Sequence, residues 1–212
     1  LPAYMTDVAI TRIEDVGDQT VAFELETPTD FEAFPGQFVL VRATIDDNEE
    51  TGYYTISSPN ITETFEITVA VSPDGTLGPW LAQRSVGDEI TVDGPFGDVQ
   101  YSGESDAIVI AGGPGIGPAV GIAERAISTG HDVTIVYGGV TPPHAQRLTA
   151  LEEDGAVVVI SADVQTAVRD LEFSGAKTFV FGFEEFVEQA KNALSEASPN
   201  TGDVEIENFG PE

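Results

Sequence analysis

The hydrophobic pattern of the chain changes once, near Gly97, and this change limits the folds that are available to it. Before that point, short runs alternate apolar and polar residues at every second position, most clearly at Val21, Phe23 and Leu25. Alternation with a period of two is typical of strands that bury one face. The first half therefore predicts an antiparallel barrel or sandwich.

After Gly97, short apolar runs alternate with segments of helical length. The runs are AIVIAGG, VTIVYGG, VVVISA, TFVFG and VEIENF, and the predicted helices cover about 117–129, 144–153 and 184–197. Strands that alternate with helices in this way form parallel sheets with crossover connections. Gly, Ser and Asp gather at 94–106. We therefore predict one domain over 1–99 and a second over 100–212.

The charge of the chain is extreme, with 8 Lys and Arg against 37 Asp and Glu and a formal net charge of -29. The hydrophobic fraction is an ordinary 41%, so the composition indicates a folded protein with an acidic surface. Such a surface repels phosphate backbones and anionic lipids, which excludes nucleic acid and membranes as expected partners. We expect a cytoplasm of very high salt, where the Debye length falls to about 3 Å.

The residues that most often bind metals are scarce. The chain has no Cys and only two His, His131 and His144, so we predict no metal site, no thiolate nucleophile and no Cys-bound iron-sulfur cluster. No apolar run reaches the length of a membrane span, and the start LPAYMTDV lacks a signal pattern. These features favour a cytoplasmic location.

The stretch AGGPGIGP at 111–118 joins a predicted strand to a predicted helix. Glycines let the backbone approach a ligand, and the N–H groups at a helix start attract anions, so a pyrophosphate fits here. Pro118 suits the first helical turn. The third glycine comes one residue early for the common dinucleotide pattern, so a plain turn without a ligand stays open.

The choice between NADH and NADPH also stays open at this point. The segment VYGGVTPP after the next strand offers neither an acid for a ribose hydroxyl nor an Arg for a 2′-phosphate. The lack of positive charge favours NADH. Arg147 is the one residue that we consider able to reverse this preference by folding back.

Five further motifs occur in a specific order. They are FPGQFVLVRA at 34–43, GYYTISSP at 52–59, ITVAVSPDGTLGPWL at 67–81, VGDEITVDGPFG at 86–97 and IENFG at 206–210. In this order they resemble the ferredoxin-NADP reductase superfamily, and the likeness covers most of the chain. The resemblance implies a six-stranded antiparallel Greek-key β-barrel that binds FAD, followed by a Rossmann-like parallel domain that binds NAD(P)H.

The resemblance also implies roles for single residues. Tyr54 would lie against the isoalloxazine ring, Thr55 would hydrogen-bond near its N5 atom, and Glu207 would contact the nicotinamide or relay a proton. The other implied FAD contacts are Tyr53, Ile56, Ser57, Val69, Ala70, Val71 and Phe209, with Gly75, Thr76, Leu77 and Gly78 at the pyrophosphate. The implied nicotinamide-nucleotide contacts are Gly112, Gly113, Gly115, Ile116, Gly117, Pro118 and Gly182. Without the resemblance, these residues would be interpreted as ordinary strand and turn positions.

Three positions depart from the pattern of the superfamily. Gly52 stands where the family has an Arg that neutralises the FAD phosphates, and Gly78 stands where it has a Ser. Arg42 or Arg84 would have to replace that Arg. Phe181 stands where related reductases have a Cys beside the nicotinamide, which weakens the expectation of fast hydride transfer.

The expected function is that of an oxidoreductase that passes a hydride from NAD(P)H to FAD. Because the chain has no Cys for a cluster, the electrons would then go to a separate acceptor, such as a ferredoxin or a partner subunit. The alternative is a non-catalytic nucleotide- or protein-binding module that kept the reductase fold. An unrelated anion-binding domain is a third interpretation.

The acidic composition yields a direct prediction about stability. Raising KCl from 0.1 M to 2 M screens the self-repulsion and should raise the melting temperature by about 15 °C, equivalent to about 5 kcal/mol at this chain length. Circular dichroism melts in the two buffers measure this shift. Equal melting temperatures would refute adaptation to high salt.

Overall fold

A computed structural model describes residues 5–17, 19–173, 175–197 and 204–211, which form two sheets. The first sheet has six antiparallel strands, β1 (Thr6–Gly17), β2 (Thr20–Glu26), β3 (Phe38–Ile45), β4 (Asn48–Thr55), β5 (Thr64–Ala70) and β6 (Glu89–Phe96), in the order β4-β3-β6-β1-β2-β5. Its two edge strands approach each other where Ile56 forms a bridge with Ile67. The predicted six-stranded antiparallel architecture is confirmed.

The predicted alternation in the first sheet places one set of side chains in its core. Phe23, Leu25, Ile67 and Val69 are each 0% exposed. A helix of six residues, α1 (Leu77–Ala82), follows β5 and buries Leu77 and Leu81 against the same core. The sequence pattern did not predict α1, because six residues are too few to establish a helical period.

The second sheet has five parallel strands with helices on both faces. Its elements are β7 (Ala107–Gly112), α2 (Ile116–Ser128), β8 (Val133–Gly138), α3 (Ala145–Glu153), β9 (Val157–Ser161), α4 (Val164–Arg169), β10 (Lys177–Gly182), α5 (Glu184–Ala197) and β11 (Val204–Asn208). The strand order is β11-β10-β7-β8-β9, which confirms the predicted parallel sheet. The central strand β7 is buried along its whole length because both faces are covered. A domain boundary at 99/100, between β6 and β7, stays a prediction.

Helix α2 packs closely against the first sheet through two glycines. A Cβ at Gly117 would lie 2.8 Å from the Cβ of Thr68, and one at Gly121 would lie 3.0 Å from the carbonyl oxygen of Ser57. A larger residue at either position would push the helix away from β4 and β5. The absence of side chains here therefore sets how closely the two sheets approach each other.

Arg147 on α3 connects the two halves at the same interface. It donates to Glu66 Oε1 at 2.7 Å and to the carbonyl oxygen of Ser57 at 2.6 Å, both in the first half. Within the second half, Arg147 donates to both carboxylate oxygens of Glu124 on α2, at 2.7 and 2.8 Å. The guanidinium is thus committed to the interface, and the alternative that Arg147 folds back onto a 2′-phosphate is not the observed arrangement.

We expect Arg147→Gln to lower the free energy of unfolding by about 2 kcal/mol, between the values typical of exposed and buried ion pairs. The reason is that the variant leaves Glu66 and Glu124 close together without a cation. Urea denaturation in 2 M KCl measures the change. Arg169→Gln is the matched control, because its pair with Glu196 is 3.4 Å long and more than half exposed. Equal losses in the two variants would contradict the assignment.

Candidate functional site

Three neighbouring cavities lie where the two halves of the chain meet. The first, named here the aromatic cleft, has a volume of about 300 Å³. Its lining residues are Phe38, Tyr53, Thr55, Phe96, Glu207, Asn208 and Phe209. Four aromatic rings, contributed by both halves, line this cleft together with the Thr55 hydroxyl, the Glu207 carboxylate and the Asn208 amide. This lining suits a flat heterocycle, and the volume lies at the lower end of the range for small-molecule sites.

The second cavity, named here the glycine cleft, has a volume of about 730 Å³. It lies at the carboxyl ends of the parallel strands, where ligands bind in open α/β sheets. Its lining residues are Thr20, Ala70, Gly112, Gly113, Pro114, Gly138, Pro143, Phe183, Glu184, Glu185, Phe186, Glu188, Gln189 and Pro211. Among the described residues, the lining includes three glutamates and no Lys or Arg.

The third cavity, named here the junction, is smaller, at about 130 Å³, and lies between the other two. It shares Tyr53, Thr55 and Phe209 with the aromatic cleft. It shares Ala70, Pro114 and Phe183 with the glycine cleft. Rings held in the two clefts would therefore meet at the junction, which Tyr54 and Thr68 complete.

The two tyrosines of β4 have different surroundings because successive side chains of a strand point to opposite faces. Tyr53 is 67% exposed and lies edge-on to Phe38, with the ring centroids 5.4 Å apart. Tyr54 lies over Gly52, where a Cβ would be 3.0 Å from the Tyr54 hydroxyl oxygen. Burial raises the pKa of Tyr54 to about 12, so its hydroxyl is neutral. A side chain at Gly52 would be tight against this ring, which would have to shift to admit it.

Thr55 and Thr68 are buried where α2 begins, and both hydroxyls lie near Gly117. Thr68 Oγ1 is 2.9 Å from Nε2 of His144. His144 is 4% exposed and precedes α3 with a positive φ of 58°. Burial and the nearby charge of Arg147 lower the pKa of His144 to about 3, so the imidazole is neutral. His144, to which we assigned no role from the sequence, thus supports Thr68 behind the junction.

Glu207 on β11 and Phe209, directly after that strand, both line the aromatic cleft. Burial and, to a lesser extent, Asp98 raise the pKa of the Glu207 carboxyl. Phe209 lies edge-on to Phe183, with the ring centroids 5.9 Å apart. Glu207, predicted beside the nicotinamide, and Phe209, predicted beside the flavin, thus line the same cleft, and their catalytic or binding roles stay predictions.

The predicted glycine turn forms a short 3₁₀ helix at Gly113–Gly115 before α2. Protein neighbours account for most of its glycines. A Cβ at Gly112 would be 2.5 Å from Phe186, and one at Gly115 would be 2.3 Å from the carbonyl oxygen of Phe181. Gly113 is different, because it is exposed, has a φ of +52° and lines the glycine cleft.

Several predicted contact residues do not line any of the three cavities. Ile56, Val69 and Leu77 belong to the core of the first sheet, and Ser57 hydrogen-bonds to Glu66 at 2.6 Å. The others are Val71, Gly75, Thr76, Gly78, Gly115, Ile116, Gly117, Pro118 and Gly182. Gly75 and Thr76 are exposed on the loop before α1, which leaves their backbone accessible. Cofactor contacts at these positions stay predictions.

The cations proposed to replace the missing Arg are already engaged. Arg42 pairs with Glu49 at 2.8 Å, and Arg84 stacks 4.2 Å from the centre of the Trp80 ring. Phe181 is 0% exposed and stacks on Phe179 within the core. It therefore presents no side chain to the junction where the family places a Cys.

Sequence reasoning missed three of the aromatic rings. Phe38 follows the PGQ motif, Phe96 belongs to GPFG, and Phe183 follows TFVFG. A signal was present, because each lies directly after or inside a quoted motif. Their shared surroundings became visible only when β3, β6 and β10 were placed in space.

Comparisons with known proteins agree with this geometry. Residues 7–101 match the family model described as the oxidoreductase FAD-binding domain. A solved ferredoxin NADP+ reductase from Neisseria gonorrhoeae, with bound FAD and NADP, superimposes with a TM-score of 0.79 at 17% identity and covers 97% of this chain and 98% of its own. The chain therefore has the fold of a ferredoxin NADP+ reductase, and residues 7–101 resemble an oxidoreductase FAD-binding domain. FAD and a nicotinamide nucleotide are thus the cofactors of the proteins it matches, as the sequence predicted.

Two curated reductases are similar in sequence to part of this chain. The glycine betaine monooxygenase reductase subunit of Chromohalobacter salexigens is 34% identical over 124 residues, which are 56% of this chain and 33% of the relative. NADH-cytochrome b5 reductase 1 of Aspergillus oryzae is 31% identical over 145 residues, which are 62% of this chain and 50% of the relative. The chain thus spans one third to one half of the length of these relatives. Within its described part, no helix is both long and apolar enough to cross a membrane.

The neutral His144 yields a prediction about pH. Its folded pKa of about 3 lies below the unfolded value, so the unfolded state binds one more proton as the pH falls below about 6.5. Lowering the pH from 7 to 5 should therefore cost about 2 kcal/mol of unfolding free energy through this group. His144→Gln should abolish that part of the loss. Denaturant titrations at constant salt compare the two, and identical pH slopes would rule out His144 as the source.

Proposed function

We propose that the chain is the flavin- and nicotinamide-binding part of an electron-transfer reductase. FAD would occupy the aromatic cleft, and NADH or NADPH would occupy the glycine cleft. The observation that carries the proposal is the composition of the junction. Three of its lining residues also line the aromatic cleft, and three others also line the glycine cleft. A reduced nicotinamide and a flavin ring would be adjacent there.

The aromatic cleft fits the flavin ring by its chemistry. Tyr53 and Phe209 offer aromatic faces from opposite halves, and the Thr55 hydroxyl both donates and accepts hydrogen bonds. Glu207, whose pKa burial raises, is placed to hold or accept a proton at the cleft. When bound, FAD supplies the capacity to accept a hydride and to release electrons singly.

The FAD phosphates would rest on backbone N–H groups rather than on a cation. The exposed loop of Gly75 and Thr76 leads into α1, and such backbone donors bind anions without a charged side chain. The Tyr54 ring occupies the space beside Gly52, where the reductases that this chain resembles have an Arg. Weak phosphate binding would be offset by high salt, which screens the repulsion from the acidic surface.

Positioning of the nicotinamide would fall to residues other than the family Cys. Phe181 is buried in the core, whereas Pro114 and Phe183 line both the glycine cleft and the junction. They would form the wall against which the ring lies, and Gly113 would allow the phosphates to approach. Holding two rings in contact is the main contribution that a protein makes to hydride transfer.

The electron acceptor would be a separate protein, such as a ferredoxin or a partner subunit. The chain has no Cys to hold a cluster, and the exposed Tyr53 brings the aromatic cleft to the surface. A one-electron partner would dock at this edge. The very acidic composition supports a location in the cytoplasm of a cell with high internal salt.

One observation favours a second function. Gly52 and Phe181 remove a phosphate-binding cation and a positioning group from the two cofactor sites. A non-catalytic nucleotide- or protein-binding module would tolerate both losses. Cofactor content and reduction separate the two functions.

We expect the protein purified in 2 M KCl with added FAD to retain the flavin absorption spectrum and to lose it when NADH is added without oxygen.

Gly113→Asn should weaken NAD⁺ binding about tenfold or more, because the Asn side chain enters the glycine cleft. Asn tolerates positive φ, so the fold should be kept. Calorimetric titration with NAD⁺ measures the affinity.

Gly130→Asn is the matched control. Gly130 has a φ of +82°, a Cβ added there would meet no other atom within 4 Å, and the residue lies outside the glycine cleft. This variant should bind NAD⁺ as the unaltered protein does. A colourless protein that takes up no FAD would favour the module. Flavin that stays oxidised with both NADH and NADPH would exclude the reductase.

A further inference from the structure

Strand β9 forms a free edge of the second sheet. It pairs with β8 on one side, and no strand among the described residues pairs with its other side. The backbone N–H and C=O groups on that side lack a strand partner, and such a row of groups can bind another strand. Val157 and Ile160 on β9 are 54% and 48% exposed. The edge thus offers both main-chain hydrogen bonds and apolar side chains to a partner.

Charge distinguishes β9 from the three other edge strands of the two sheets. β4 carries Glu49 and Glu50, β5 carries Glu66, and β11 carries Glu205 and Glu207. β9 has the sequence VVVIS and carries no charge, although the whole chain has 37 Asp and Glu. Charged residues are a common means of keeping an edge strand from pairing with another chain. β9 is the edge strand without this protection.

A second observation concerns the exposed apolar side chains near this edge. Of the six large apolar residues that are exposed in the described part of the chain, three lie here. Val140 is 79% exposed and follows Gly139, whose N–H donates to the carbonyl oxygen of Ser161 at the end of β9. Val140 therefore extends the apolar strip that Val157 and Ile160 form. Neighbouring exposed apolar residues on an otherwise polar surface are typical of an interaction site.

The partner that fits this edge is a second copy of the chain. A partner has to bring an uncharged, apolar strand edge of its own, and β9 of another copy is such an edge. Two copies related by a two-fold axis would pair their β9 strands antiparallel, with Val159 opposite Val159 and Val158 opposite Ile160. No carboxylate then lies opposite another carboxylate, which matters for two chains that each have a formal net charge of -29.

We infer that β9 is the dimerisation edge of this protein, with a second copy of the chain as its partner. The assembly closes at two copies, because β11 at the opposite edge of each sheet carries Glu205 and Glu207 and resists further pairing. Glu207 also lines the aromatic cleft, so this cleft lies at the edge that the dimer leaves open. The inference goes beyond the proposed function and does not depend on it.

Sedimentation velocity of the purified chain in 2 M KCl tests the inference. The apolar strip is narrow, so we expect a dimer with a Kd of about 10 µM, measured from about tenfold below to about tenfold above that value. Val157→Glu should weaken the dimer at least about tenfold, because it places a carboxylate of each copy in the apolar strip. Val157 is exposed, so the variant should fold, which circular dichroism checks.

Val86→Glu is the matched control. Val86 is 62% exposed between α1 and β6, away from β9, and the substitution adds the same charge. This variant should dimerise as the unaltered chain does. A chain that stays monomeric throughout the concentration range, or equal weakening by Val157→Glu and Val86→Glu, would overturn the inference.

A single cysteine tests the register, because the chain has no Cys of its own. Residues directly opposite each other in an antiparallel pair have Cα atoms about 4.5–5.5 Å apart, which a disulfide can span. Val159→Cys should therefore form a cross-linked dimer on mild oxidation, and Val86→Cys should not. A dimer in which Val159→Cys fails to cross-link would overturn the pairing through β9. The proposed function is unaffected by each of these outcomes.

Discussion

The close approach of α2 to the first sheet is the contact on which the candidate site depends. Gly117 lies against Thr68 and Gly121 against the backbone of Ser57, at distances that only glycine allows. The start of this helix is also the glycine turn, so the same packing fixes where the turn lies relative to Thr55. The junction between the aromatic and glycine clefts exists because these surfaces touch. Arg147 then holds them together across the interface.

The few cations of the chain are used for structure rather than for ligands. Of the 8 Lys and Arg, seven pair with a carboxylate, and Arg125 donates to Asn60 and to the carbonyl oxygen of Pro59. Arg147 and Lys177 each pair with two carboxylates. In the proposed function, phosphate recognition would therefore fall to backbone N–H groups, which carry no net charge and need only glycine and a helix start. The missing Arg at Gly52 follows the same pattern.

The departures from the superfamily pattern have local physical explanations. The ring of Tyr54 lies over Gly52, so a larger residue there would displace it. Phe181 points into the core beside Phe179. Its ring adds apolar packing at the position where related reductases have a Cys. Phe183, the next residue but one, supplies the side chain that reaches the junction. The junction is therefore present although the chain has neither an Arg at position 52 nor a Cys at position 181.

The sequence alone determined the class of both sheets, the three longer helices and the approximate place of both clefts, because periodicity and turn chemistry are local properties. It did not determine which of Tyr53 and Tyr54 is exposed, why Gly112 and Gly115 must lack side chains, or what Arg147 and His144 contact. Those outcomes depend on neighbours such as Phe186, Glu66 and Thr68, which are far away along the chain. Only the tertiary structure brings such residues together, since the packing of a side chain is set by the surfaces that meet around it.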